Sequence, residues 1–348
     1  MSETRVGPPL WELTKARLRE FFREPGALFW VFVFPLLMAL VLGFAFRDRP
    51  PERIPVGVTQ GRNSREIRDA LTGAGTVRPI PFLSSADGLE ALRTGKIALL
   101  IEDGAPLIYR FDPTRPDARV ARFEVNEAIQ RAHGRDDPMS VQEEAVHEKG
   151  SRYIDFLLPG ILGLNLMGTG MWGIGFAIVT SRIKKTLKLL VATPMRKRDY
   201  LLCHMFARLV FLVFEVAIIL LFGRLIFEVP IRGSLAVLSL ASLLGAMCFS
   251  GIGLLTTARA RSLEVGSGLM NLVMLPMWLV SGTFFSVERF PESLQPVIRI
   301  LPLTALNDAL RSVMLEGKGI TSLGMELTVL LIWGAASFAA ALRIFRWQ

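Results

Sequence analysis

The side chains that build disulfides and metal centres are scarce in this chain. Its 348 residues include two cysteines, Cys203 and Cys248, and three histidines. Two cysteines cannot form a disulfide framework or a four-ligand zinc site, and three scattered histidines disfavour a histidine-based metal centre. The phosphate-binding pattern G-x-x-x-x-G-K-S/T is missing as well. We therefore expect no catalytic site, metal or cofactor on this chain, and a partner or a gradient must supply any energy that it uses.

Charge is also sparse. Only 20% of the residues are charged, 51% are hydrophobic, and the mean hydropathy is +0.42. A chain this long and this apolar is not a set of soluble domains, and the composition predicts a membrane protein. About half of the charged residues fall within residues 47–155. That concentration indicates one soluble block inserted into an otherwise membrane-embedded chain.

Six apolar stretches are long enough to cross a membrane, which takes roughly 20 helical residues. The predicted spans are residues 28–46, 156–181, 209–227, 233–258, 265–287 and 323–343. An even number of crossings places both termini on the same side.

The first stretch could also be a signal peptide, because basic residues precede it. It is longer than the apolar part of a usual signal peptide, however, and lacks a small-x-small cleavage site. We therefore expect an uncleaved anchor.

Basic residues identify the side on which the termini lie. Five Lys and Arg residues precede residue 28, eight lie in the loop 182–208, and two more, Arg343 and Arg346, lie at the end of the last span and in the tail. Because basic loops are retained in the cytoplasm, these segments and both termini are predicted to be cytoplasmic. These basic loops account for the net charge of +9. Nucleic acid is therefore not expected as a partner.

The segment 1–27 contains an amphipathic helix over residues 8–22. Leu10, Trp11 and Leu18 share one face, whereas Lys15 and Arg19 lie on the other. Such a helix lies flat at the headgroups of the lipid bilayer. Packing against a soluble partner is the alternative, and the pattern leaves it open.

The soluble block at residues 47–155 has the alternating pattern of a small α/β domain. Strands are predicted at residues 54–59, 77–82, 97–102 and 107–111, and helices at residues 64–72, 85–94 and 117–132. Alternation of the spans places this domain outside the cytoplasm. The predicted fold is an all-α polytopic membrane domain with six transmembrane helices and an inserted small α/β extracytoplasmic domain.

The sequence predicts an amphipathic helix in the cytoplasmic loop 182–208. Ile183, Leu187, Leu190 and Val191 form an apolar stripe, and three lysines lie opposite: Lys184, Lys185 and Lys188. A soluble partner protein can bind such an apolar stripe. The lysines fit a helix on lipid headgroups equally well.

Residues 186–194, with the sequence TLKLLVATP, resemble the T-L-x-x-L-x-x-T-P element of ABC-2 type transporter permeases. Further stretches resemble the family in the same order along nearly the whole chain: Glu24-Pro25, Phe34-Pro35, residues 276–285, Arg289-Phe290-Pro291 and residues 301–311. The soluble block is similar to that of the branch with a large extracytoplasmic insertion after the first span.

This resemblance implies the membrane-spanning subunit of an ABC exporter in the inner membrane of a bacterial cell. A separate cytoplasmic ATPase would bind ATP-Mg, and a second permease chain, identical or different, would complete the transport pathway. The implied ATPase-coupling residues are Ile183, Lys184, Lys185, Thr186, Leu187, Lys188, Leu190, Val191, Thr193 and Pro194. The alternative is a membrane scaffold, or a mechanotransmission subunit driven by such an ATPase without translocating a substrate.

Three polar residues within the spans are candidates for the pathway. Glu215 lies two turns beyond Arg208, so a direct ion pair requires both side chains to extend. Glu215 is equally consistent with an inter-helix bond and with the pathway, because ionisable groups in a membrane face protein or water. The pattern favours interhelical hydrogen bonds for Asn165 and Asn271.

Prolines interrupt residues 288–322, which are too short and broken to span the membrane. This pattern predicts interfacial or re-entrant helices on the extracytoplasmic side. It places five residues at the outer mouth: Leu303, Thr304, Asn307, Asp308 and Arg311.

Overall fold

The structure is a computed structural model that describes residues 9–46, 53–135, 150, 152–185 and 197–344. The chain divides into two compact units. One comprises residues 48–146, and the other comprises residues 1–47 together with residues 147–348. The predicted combination of a polytopic helical domain and a small α/β domain is confirmed: among the described residues, one unit holds a four-stranded mixed sheet, and six helices of the other are long and apolar enough to cross a membrane.

The amino-terminal part contains three helices with a break between the first two. They are α1 (Pro9–Phe22), α2 (Pro25–Leu28) and α3 (Phe34–Ala45). A π-helical turn, Phe29–Val33, joins the last two into the first candidate span, Pro25–Ala45. Pro25 lies at the start of α2, where its missing N–H is not needed by the helix.

The unit at residues 48–146 is a three-layer α/β structure. Its elements are β1 (Ile54–Thr59), α4 (Ser64–Ala74), β2 (Val77–Phe82), α5 (Ser85–Arg93), β3 (Leu99–Glu102), β4 (Ile108–Phe111) and α6 (Pro116–Ala132). The strand order is β2-β1-β3-β4. β1 runs parallel to β2 and β3, and β4 runs antiparallel to β3.

Side chains alternate between the two faces of the sheet, and each face has an apolar core of its own. Val58, Leu99 and Ile101 point to one face, where they pack with residues of α4 and α6. Leu100 points to the other face, where it packs with Ala91 of α5. The Ser84 hydroxyl accepts a hydrogen bond from the Asp87 amide at 3.1 Å and caps α5.

Among the described residues, the other unit continues through seven further helices. They are α7 (Tyr153–Ile183), α8 (Lys197–Phe227), α9 (Leu235–Thr257), α10 (Leu263–Val280), α11 (Gln295–Arg299), α12 (Pro302–Glu316) and α13 (Gly324–Ile344). Two short 3₁₀ turns, Val287–Arg289 and Ile320–Leu323, lie among the last of them. α10 ends at Val280, earlier than the end at residue 287 that the apolar run predicts.

α7 and α9 form the centre of this unit. Glycines allow their backbones to approach closely: a Cβ atom on Gly253 would lie 2.7 Å from the Cα of Met171, and one on Gly170 would lie 2.9 Å from the Cβ of Phe249. α12 packs against α7, α9 and α13. α1 packs against α8, where the rings of Phe21 and Phe211 are 4.1 Å apart.

Candidate functional site

Most of the proposed ATPase-coupling segment lies outside the described residues. That holds for Thr186, Leu187, Lys188, Leu190, Val191, Thr193 and Pro194. The sequence predicts that Ile183 begins a separate helix, whereas in the structure it is the last residue of α7. Lys184 and Lys185 form an exposed turn after it, and Lys185 has a left-handed backbone with φ of 56°.

Arg182 joins the carboxyl-terminal end of α7 to the connection between α9 and α10. Its guanidinium donates hydrogen bonds to the backbone carbonyls of Thr257, Ala258 and Ala260. Thr257 and Ala258 lie at the carboxyl end of α9 and Ala260 follows it. A cation is favourable at this end of a helix because its carbonyls carry partial negative charge. The sequence gives no sign of this contact, because Arg182 is only one of many basic residues in its loop.

Glu215 makes an ion pair inside the membrane unit. The Nη1 atom of Arg208 lies 2.7 Å from its Oε1 atom, and the two side chains are 8% and 1% exposed. The Thr169 hydroxyl of α7 donates to the second carboxylate oxygen at 3.1 Å. The carboxylate therefore ties α8 to α7 and does not line an open passage in this conformation.

The two asparagines occupy different environments. Asn165 is buried, and its Nδ2 atom has no hydrogen-bond partner among the described residues. Asn271 is exposed near the middle of α10. Only 22% of this span is buried, compared with 61% of the span in α7. A carboxamide exposed to hydrocarbon is costly, so the face of α10 that carries Asn271 requires a polar partner or water.

Leu303, Thr304 and Asn307 of the predicted outer mouth are fully buried. The Asn307 amide donates to the Ser281 carbonyl at 3.1 Å and to the Thr283 hydroxyl at 3.0 Å. α12 thereby fixes the turn that follows α10. In this conformation the three residues pack inside the unit and do not line an opening.

Arg311, which also lies on α12, makes further contacts to the turn after α10. It donates to the Gly282 carbonyl at 3.0 Å, pairs with Asp308 at 3.3 Å, and lies 3.8 Å above the ring of Phe156 on α7. The Tyr153 hydroxyl donates to the Phe284 carbonyl at 3.2 Å. The turn after α10 is therefore held between α7 and α12.

Comparison with known proteins identifies the family. A family model described as ABC-2 family transporter protein matches residues 25–343, which include all six candidate spans apart from the last residue of α13. The chain belongs to the ABC-2 family of transporter proteins. It is a multi-pass membrane protein of the permease class, whose members are membrane subunits and not themselves enzymes.

Two relatives in Escherichia coli K12 are similar over most of their length. The probable multidrug ABC transporter permease YbhR is 22% identical, over 97% of this chain and 98% of its own. The probable multidrug ABC transporter permease YbhS is 21% identical, over 86% of both chains. ABC transporter G family member 20 of Dictyostelium discoideum is 27% identical over 53% of this chain, which spans only 25% of that protein.

Proposed function

We propose that this chain is the permease subunit of an ABC exporter in a bacterial inner membrane, where it forms the transport pathway and couples to a separate cytoplasmic ATPase. The family match over residues 25–343 carries the proposal. Two relatives that align over most of their length bear the name of multidrug permease, which supports a transport role. ATP-Mg would bind to the partner, since the sequence has no phosphate-binding loop.

A second permease chain would cover the exposed face of α10. Gly268, Leu272, Leu275 and Leu279 share this face at helical spacing, Asn271 lies at its margin, and a Cβ atom on Gly268 would meet nothing within 4 Å. Small residues permit close approach of helices in membranes, and amides bond across them. The facing chain, or water in a pathway between the chains, would supply the polar partner that Asn271 requires.

The ATPase would bind the segment that follows α7. Ile183 is 48% exposed at the end of this helix, and the apolar stripe of the sequence continues from it through Leu187, Leu190 and Val191. Arg182 would carry the movement of this segment to the start of α10 through the α9 carbonyls that it holds.

Replacing Leu187 or Leu190 with aspartate is expected to abolish binding of the ATPase. A charge without a partner in a desolvated contact costs several kcal/mol. The measurement is co-purification of the ATPase with each variant, after checking that the variant still inserts into the membrane. The matched control replaces Lys184, Lys185 and Lys188 with glutamine, which is expected to weaken lipid contact and leave the assembly intact. Normal ATPase binding and transport by both aspartate variants would exclude this docking role.

With six spans and cytoplasmic termini, as the sequence predicts, the α/β unit would lie outside the cytoplasm. In a chain whose Cys203 and Cys248 are replaced with alanine, a cysteine at Leu83 is expected to react with an impermeant maleimide in intact cells. Leu83 is 83% exposed, so access to the side chain does not limit the reaction. A cysteine at the exposed Lys185 should react only after the cells are opened. The reverse labelling pattern would contradict the topology.

A further inference from the structure

The two edges of the sheet in the α/β unit are not alike. The carbonyls of Thr76 and Phe82 accept hydrogen bonds from β1 and from the residue that follows it, so the even-numbered residues of β2 direct their backbone groups towards β1. Pro79 and Pro81 therefore occupy positions whose backbone faces outwards. Because proline has no N–H, these positions offer no donor to an added strand. The β2 edge is closed to strand pairing.

The orientation of β3 determines which backbone groups of β4 face outwards. The Ala98 amide donates to the Pro55 carbonyl at 2.9 Å, so the even-numbered residues of β3 face β1. Leu99 and Ile101 consequently face β4, where they are paired with Phe111 and Tyr109.

The backbone groups of Ile108 and Arg110 therefore point away from the sheet, and no described element pairs with them. β4 contains no proline. The Arg110 side chain pairs with Glu102 at 2.8 Å, and this hydrogen bond, together with one from Ser85, lowers the pKa of the Glu102 carboxyl. By the alternation of the strand, Tyr109 and Phe111 lie on the opposite face, towards α6.

A shallow groove runs between β4 and α6 beside this open edge. It has a volume of about 380 Å³ and is lined by Tyr109, Phe111, Arg122, Phe123 and Asn126. Phe123 is 62% exposed, which is unusual for a large aromatic side chain in a unit rich in charged residues. The guanidinium of Arg122 lies 4.8 Å from the centre of the Phe123 ring and 5.8 Å from that of Phe111.

The charge of the groove is positive. Arg119 and Arg122 lie one turn apart on the same side of α6, and neither has a carboxylate partner among the described residues. An antiparallel pair of β4 strands from two copies would bring these arginines together across the junction, which is unfavourable. The charge therefore favours an acidic partner over a second copy of the chain.

We propose that the groove between β4 and α6 binds an extended acidic segment of a partner polypeptide, which adds as a fifth strand to the sheet. Its backbone would bond to Ile108 and Arg110, its apolar side chains would contact Phe111 and Phe123, and its carboxylates would pair with Arg122. The proposal does not depend on the transport function. It requires only the geometry of the α/β unit.

The test uses the full chain in nanodiscs of uncharged lipid and a fluorescent peptide in which glutamate and valine alternate at every second position, with threonine between them, so that both side chains face the groove when the peptide adds as a strand. Fluorescence anisotropy is expected to show saturable binding. A second peptide with the same side chains carries N-methyl groups on all its interior amides, which removes the backbone donors along both edges without changing the charge. We expect its affinity to be lower by roughly tenfold, because the strand-addition bonds are lost.

Protein variants separate the contributions of charge and backbone. Arg122→Gln is expected to weaken binding by roughly tenfold. Ile108→Pro should abolish it, whereas Ile108→Thr, which keeps the N–H, should not. Proline is tolerated at the first residue of an edge strand, so the unit should remain folded. Arg93→Gln, on α5 at the other face of the sheet, is the matched control and should leave the affinity unchanged.

Four results would overturn the proposal. One is equal affinity for the N-methylated and unmodified peptides, which would indicate a site for small anions and not for a strand. The second is unchanged binding by Arg122→Gln, and the third is no saturable binding of the glutamate peptide by the unmodified chain. The fourth is a disulfide between two copies of an Ile108→Cys variant in the membrane, which would show that a second copy covers this edge.

Discussion

Replacing Arg208 with methionine is expected to destabilise the membrane unit by about 3–5 kcal/mol. The substitution leaves the Glu215 carboxylate, which is 1% exposed, with Thr169 as its remaining hydrogen-bond partner in the described part of the chain. A buried charge without its counterion is among the most destabilising changes that a single substitution produces. Unfolding of the detergent-solubilised chain, followed by tryptophan fluorescence, would measure the loss.

The double variant Arg208→Met with Glu215→Met is the control for this prediction. Replacing both members of a buried ion pair with apolar side chains of similar volume is often neutral or stabilising. Most of the lost stability should therefore return. A single variant as stable as the unmodified chain would show that the pair contributes nothing to the fold.

Replacing Gly253 with leucine is expected to prevent the close packing of α7 and α9. Even the first side-chain carbon would lie 2.7 Å from the Cα of Met171 and 2.8 Å from its carbonyl oxygen. Both are backbone atoms, so they cannot move aside without displacing α7. Alanine at this position is expected to cost about 1–3 kcal/mol, and leucine should leave little monodisperse protein after solubilisation.

Gly168 provides the matched control within α7. A Cβ atom there would meet nothing within 4 Å, although it lies only two residues from Gly170, which contacts Phe249. Gly168→Ala is expected to be neutral, or to stabilise the helix by up to about 1 kcal/mol. Equal stability of Gly168→Ala and Gly253→Ala would contradict the packing that the structure shows.

Local patterns explain why much of the fold follows from the sequence. β1 and β2 have the predicted ends, because alternating residues and turn formers mark both strands. The long spans follow from apolar length alone. α10 is the exception: its apolar run continues past Val280, but Gly282 takes a left-handed conformation with φ of 73°. The contact that holds this turn comes from Asn307, far away in sequence.

The contacts at the candidate site could not be predicted in the same way. Spacing alone suggested that Arg208 and Glu215 meet only if both side chains extend, and their 2.7 Å contact depends on rotamers and on the Thr169 hydroxyl from another helix. The bonds from Asn307 to Ser281 and Thr283 join residues 24 to 26 positions apart. Hydropathy contains no information about such tertiary pairings.

The hydrogen bonds from Arg182 to the carbonyls at and after the end of α9 couple the position of α7 to that of α10. A tilt or rotation of the carboxyl-terminal end of α7 must either carry residues 258–260 with it or break the hydrogen bonds to the carbonyls of Ala258 and Ala260. α10 begins shortly afterwards, at Leu263. A displacement of the loop after α7 is therefore expected to be transmitted through this guanidinium to the start of α10 and to its exposed face.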